Sequence, residues 1–224
     1  MKSRMKNIGK TFTAAAFLPL ALAAPLAAAE EADDAAETAT TESAGAEAKR
    51  SPLSLSLEAA YAKATKKPER GGVDMAGLDL RLNYAVDEGN QFSIGLLMLG
   101  GSENVNGIGD DLRSTNLALL GGYRIVLPVV PDRLNLFAGV RAGIAFVDYV
   151  LDNGRANGWD HYREDSDVCA VYAGEVGISY SFNDRWSVRG GYEYYGNTTK
   201  IGGGNVKFSE QQYHVFQLGA EYRF

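Results

Sequence analysis

The chain is almost without cysteine. Cys169 stands alone among 224 residues, so no intrachain disulfide is possible. Basic charge is scarce: 22 Lys and Arg face 28 Asp and Glu, for a formal charge of −6. Nucleic-acid binding needs a basic footprint, which excludes that partner class. After residue 29 no apolar run approaches the roughly 20 residues that a membrane-spanning helix needs. No Ca²⁺-loop spacing is present, and Gly202-Gly203-Gly204 has no strand–helix context to make a phosphate cradle. The expectation is therefore no metal and no cofactor.

What is present begins with a secretory pattern. Lys2, Arg4, Lys6 and Lys10 form a basic segment, Thr13 to Leu26 an apolar one, and Ala27-Ala28-Ala29 a small-residue cleavage site. Residues 1–29 are predicted to be a signal peptide, with no cysteine placed for lipidation. Their removal takes away four basic and no acidic residues, so the formal charge moves from −6 to −10. Residues 30–52 are rich in Ala and Glu and carry no aromatic residue. Such a composition buries too little apolar surface to fold alone, which predicts a disordered acidic tail.

From Leu53 onward the chain alternates with a period of two, the mark of strands whose successive side chains point to opposite faces. Leu53, Leu55 and Leu57 oppose Ser54, Ser56 and Glu58; Leu78, Leu80 and Leu82 oppose Asp79 and Arg81. Seven such segments precede an eighth, where Phe216, Leu218, Ala220, Tyr222 and Phe224 oppose Gln217, Gly219, Glu221 and Arg223. Residues 53–224 thus read as an all-β, eight-stranded antiparallel up-and-down transmembrane β-barrel. The mean hydropathy of −0.18 suits alternating strands, which are far less apolar overall than a spanning helix. Polar segments at 65–77, 101–115, 148–166 and 197–211 read as long loops, and 87–90, 127–133 and 183–185 as short turns.

Loop parity places the acidic tail and Phe224 on the short-turn side, which is the periplasmic side in outer-membrane barrels. Aromatic residues gather at strand ends. Tyr84, Phe92, Tyr123, Tyr180, Phe182, Trp186, Tyr222 and Phe224 fall near the short turns; Tyr61, Phe146, Tyr172, Tyr194 and Phe216 fall near the loops. Two such groups fit the aromatic girdles of a lipid-facing surface. A soluble barrel shares the alternation; the aromatic strand ends, the long and short loop parity and the terminal Phe224 favour lipid.

The last residues carry a resemblance. Gln217, Gly219, Tyr222 and Phe224 match the polar, glycine, aromatic, aromatic pattern of the outer-membrane insertion signal. With it, residues 53–224 resemble the small eight-stranded barrels of the OmpA, OmpX and opacity-protein type. That resemblance implies a Gram-negative outer-membrane location and contact with outer-membrane lipid and lipopolysaccharide. It also implies handling by periplasmic chaperones and the barrel-assembly machinery, and a monomeric state. An extracellular ligand could be held by the long loops.

Charge at the bilayer midplane costs about 2–4 kcal/mol per Arg or Lys on the lipid face, so charged residues of the strands belong inside. These are Glu58, Asp79, Arg81, Arg124, Arg141, Glu175, Arg189, Glu193, Glu221 and Arg223. They are expected to fill the interior as a salt-bridge plug, with Glu58–Arg141 and Glu175–Arg189 as candidate pairs. A narrow ion-conducting channel is the alternative, gated by rearrangement of the same pairs. An envelope enzyme would need a nucleophile, a base and an acid. His214 with Ser209 or Glu210 is the candidate set, in no family spacing, and a histidine at the headgroup interface explains His214 as well. The expected role is structural or surface-interacting, adhesin-like and without catalysis.

Overall fold

A computed structural model describes residues 51–66, 72–104, 111–153, 161–203 and 206–224. The predicted signal peptide and nearly all of the predicted acidic tail lie outside the described residues. The eight strands are β1 (Leu53–Ala64), β2 (Met75–Ala85), β3 (Asn90–Asn104), β4 (Asp111–Val130), β5 (Leu134–Asn153), β6 (His161–Ser181), β7 (Trp186–Gly203) and β8 (Val206–Arg223). Each pairs antiparallel with the next, and β8 pairs with β1, which closes the barrel. The edges of an open sheet are thereby removed.

The register fixes the barrel's dimensions. Partners followed once round from Leu53 run through Tyr84, Phe92, Tyr123, Val140, Gly174, Tyr194 and His214 and return to β1 at Lys63. The sheet therefore closes with a stagger of ten residues. For eight strands, ordinary strand spacing and rise turn this into a tilt of about 40° and a backbone radius of about 8 Å. Each residue then climbs about 2.5 Å along the axis.

Three of the four segments expected as long loops, 101–115, 148–166 and 197–211, are largely strand; of the described residues in 65–77, only Met75 to Gly77 belong to a strand. β3 runs to Asn104, β5 to Asn153, β7 to Gly203, and their partners begin at Asp111, His161 and Val206. Strands β4 to β8 hold 18–21 residues each, whereas about 9–11 tilted residues cross a bilayer. The hairpins continue well past any hydrocarbon layer. Polar residues there were read as loop because they are polar. Thr115, Asp148, Ser166 and Lys200 among them lie on the outer face of strands that have left the apolar zone, while Ser114, Asn197, Thr199 and Gln211 are buried inside.

Along β5 the outward residues are Leu136, Ala138, Val140, Ala142, Ile144 and Phe146, followed by Asp148. On β6 they run from Tyr180 to Val168 and then reach Ser166. Val140 and Leu218, each 64% exposed, belong to a continuous outward apolar band, the kind of surface that marks contact with a membrane. The band is about ten residues tall, or about 25 Å, the height of the apolar belt of membrane barrels. Rings gather at its short-turn edge: Trp186 lies 4.9 Å from Tyr222, Phe92 5.3 Å from Tyr123, and Tyr180 5.4 Å from Phe182.

Candidate functional site: the barrel interior

The inward positions of β1 to β8 build the interior from three layers. Nearest the short turns, Ser54, Asn83, Arg124, Phe137, Arg189 and Glu221 are buried together. Arg124 and Arg189 place their guanidinium groups 4.4 and 4.8 Å from the centre of the Phe137 ring. A ring face attracts cations, so one phenyl group lets two like charges share a small space. Arg189 Nη1 lies 3.2 Å from Glu221 Oε2 and 3.3 Å from Glu58 Oε1, and the Ser54 hydroxyl donates to Glu221 over 2.6 Å.

The middle layer is a charge network at the height of the apolar belt. Arg81 is 0% exposed. Its Nε and Nη2 donate to Asp79 Oδ2 over 2.9 and 2.7 Å, and its Nη1 to Glu175 Oε2 over 2.6 Å. Arg141 Nη1 donates to Asp79 Oδ2 over 2.7 Å and to Glu193 Oε2 over 2.9 Å. Arg124 grips Glu175 with two nitrogens, Nε at 2.9 Å and Nη2 at 3.0 Å. Gln217 completes the layer, accepting from Arg81 over 2.7 Å and donating to Asp79 over 3.0 Å. Desolvating a charge costs several kcal/mol per ion, and dense pairing of this kind offsets it.

The pairing differs from the expected one. Glu58 faces Arg189 and, at 4.0 Å, Arg81 instead of Arg141. Glu175 holds Arg81 and Arg124 instead of Arg189. Arg223 is only half-buried and lies at the short-turn rim. Sequence periodicity gives each residue its face. The height at which residues meet depends on the ten-residue stagger, which periodicity does not contain.

The third layer was not anticipated. Above the charges the interior is apolar: Ala60, Ala62, Met75, Leu97, Leu99, Leu112, Ala118, Leu120, Val147, Val171, Tyr195, Tyr213 and Val215 form one buried cluster. The signal for it was on the page of the sequence. Extending the inward parity of each strand past the girdle brings Val147 and Tyr149 inward as Asp148 turns outward. Polarity thus inverts along the barrel. In the short-turn half of the belt the barrel is apolar outside and charged inside; in its upper half both faces are apolar, as where buried Ala118 lies between outward Leu117 and Leu119; beyond the belt it is the arrangement of a water-soluble barrel. Asn116, Asn197, Thr199 and Gln211 are buried in the same upper part of the barrel, and the Tyr195 hydroxyl donates to Asn116 Oδ1 over 3.2 Å.

The candidate catalytic group is placed on the outer face. His214 Nδ1 is 2.6 Å from the Tyr192 hydroxyl, and its ring stacks on Tyr192 at 5.9 Å. The phenol occupies the nitrogen that an acid would orient in a triad. The side chain of Ser209 lies outside the described residues, and Glu210 is exposed with a φ of 41°. Among the described residues no group of acidic, His and Cys side chains is placed to hold a metal ion.

Of the terminal pattern, Tyr222 packs against Trp186 and Phe224, while Gln217 belongs to the charge layer. A Cβ on Gly219 would stand 2.1 Å from the Leu57 carbonyl oxygen, so the closing seam admits only glycine there.

Residues 14–224 match the family described as outer membrane protein beta-barrel domain. Neisserial surface protein A is similar in structure with a TM-score of 0.51 at 16% identity, over 78% of this chain and 98% of that one. Ail, the attachment invasion locus protein of Yersinia pestis, gives 0.52 at 15% identity, over 78% and 99%. The outer membrane protein OprG from Pseudomonas aeruginosa gives 0.52 at 15% identity, over 78% and 97%. At such identities the likeness concerns the fold. No curated protein matches the chain.

Proposed function

Because the chain belongs to the outer membrane protein β-barrel domain family, we propose that it is a non-conducting, non-catalytic barrel with a structural or surface-interaction role. The observation that carries this reading is the filled interior: a paired charge layer under an apolar plug. An ion crossing it would have to break buried ion pairs and then displace closely packed, mostly apolar side chains. In this reading the lumen has no transport task, and activity resides on the outer surface of the long hairpins. The name of Ail points to attachment, and adhesion of that kind is the role we assign to the hairpins here.

The short turns and both chain ends face the periplasm in this reading. Lipopolysaccharide surrounds the belt, chaperones and the assembly machinery act during biogenesis, and the inserted form is a monomer. Purified protein in a planar bilayer tests the central claim. No steady conductance is expected, for the wild type or for Arg141→Ala. Reproducible openings that change with Arg141→Ala would show that the charge layer is a gate and would overturn the reading.

A further inference from the structure

The charge layer contains contacts that strand pairing alone disfavours. Glu58 on β1 stands directly opposite Asp79 on β2, and Glu175 on β6 directly opposite Glu193 on β7. All four are buried. Like charges opposite one another on neighbouring strands destabilise the pairing. Among the described residues, the only cation within either hairpin that touches its own acidic pair is Arg81, which holds Asp79 and lies 4.0 Å from Glu58.

Compensation comes from round the ring. Arg141 on β5 reaches Asp79 on β2 and Glu193 on β7. Arg81 on β2 reaches Glu175 on β6 and, at 3.5 Å, Glu193. Arg189 on β7 reaches Glu58 on β1, and Gln217 on β8 spans β1 to bond both Asp79 and Arg81. In an open sheet β2 and β6 are four strands apart, about 19 Å, beyond the reach of an arginine and a glutamate together. Arg81–Glu175 thus needs the sheet to curl, and Arg189–Glu58 and the Gln217 bonds need β8 to have met β1, whereas Arg141 and Glu193, two strands apart, can also meet in the open sheet.

We infer that the charge layer is a closure latch. The two acidic pairs disfavour the open sheet, and the arginines complete their neutralisation only in the closed ring, so the interior electrostatics drive the β1–β8 seam shut in one cooperative step. Arg141 is the central part, because it joins one acidic pair to the other.

The test follows the full chain from urea into phosphatidylcholine vesicles. Tryptophan fluorescence, from Trp159 and Trp186 together, reports adsorption, and migration on unboiled gels reports closure. Arg141→Met should adsorb like the wild type and close about tenfold more slowly or not at all, because the network forms in the closing transition state. Adding Asp79→Asn and Glu193→Gln to Arg141→Met removes the stranded acids and should restore closure to within about threefold of wild type. If Arg141→Met closes at the wild-type rate and merely reopens faster, the layer is a passive stabiliser and the latch is wrong. A triple variant as slow as the single one, or unable to close, also overturns it.

Discussion

Phe137 shows how one side chain organises its neighbours. Its ring carries Arg124 on one contact and Arg189 on another, and its Cζ faces Gly177 on β6. A Cβ on Gly177 would lie 2.3 Å from that Cζ and 2.5 Å from the Gly190 carbonyl oxygen. Gly177→Ala is expected to cost about 1–3 kcal/mol by overpacking, read as a lower urea midpoint in vesicles. Gly174→Ala, three residues away with nothing within 4 Å of its Cβ, should stay within about 0.5 kcal/mol of wild type. Phe137 was not legible as a member of this layer. Its inward neighbours Asn135, Gly139 and Arg141 read as a polar face, and a phenyl ring among them looks like an exception until the two guanidinium groups are seen on it. Gln217 was legible only as part of the terminal pattern, because its partners lie 138 and 136 residues away in the chain.

At the scale of the element, the β2–β3 turn is held by one carboxylate. Asp87 accepts from Asn90 Nδ2 and from the Gly89 backbone N–H, each over 2.8 Å. The Asn90 hydrogen bond, with help from Gly89, holds the Asp87 carboxyl below its usual range. A depressed folded pKa contributes stability above the unfolded value, and that stability is lost as pH falls through the folded one. Asp87→Ala should therefore lower the urea midpoint at neutral pH, with the difference shrinking toward about pH 2. Equal differences at both pH values would assign the effect to something other than this carboxylate. Asp87, Gly89 and Asn90 were recognisable as a turn from residue type alone. The long hairpins were not recognisable as strands. Their outward residues are polar and rich in Gly and Asp, which is loop chemistry in a solvent-blind reading and ordinary strand surface once the strand stands in water.

For the whole molecule the governing fact is the inversion of polarity along one barrel. β5 supplies a test on a single face of a single strand. Val140 lies outward near the middle of the apolar belt, 64% exposed, and Val150 lies outward on the part that projects beyond it. Val140→Arg is expected to cost about 2–4 kcal/mol of folding stability in vesicles, whereas Val150→Arg should cost under about 0.5 kcal/mol. Similar costs at both positions would mean that the belt extends to Val150 and that the projecting hairpin is embedded.

The sequence by itself determined the fold class, the number of strands and the face of nearly every strand residue. All three follow from a two-residue period and from the cost of charge against lipid, which are local facts. Tertiary structure decided which charges meet, that Phe137 and Gln217 join them, and that an apolar plug stands above them. Those outcomes depend on the ten-residue stagger at which β8 meets β1. That stagger sets the height of every residue against residues far away in the chain, and no local pattern records it.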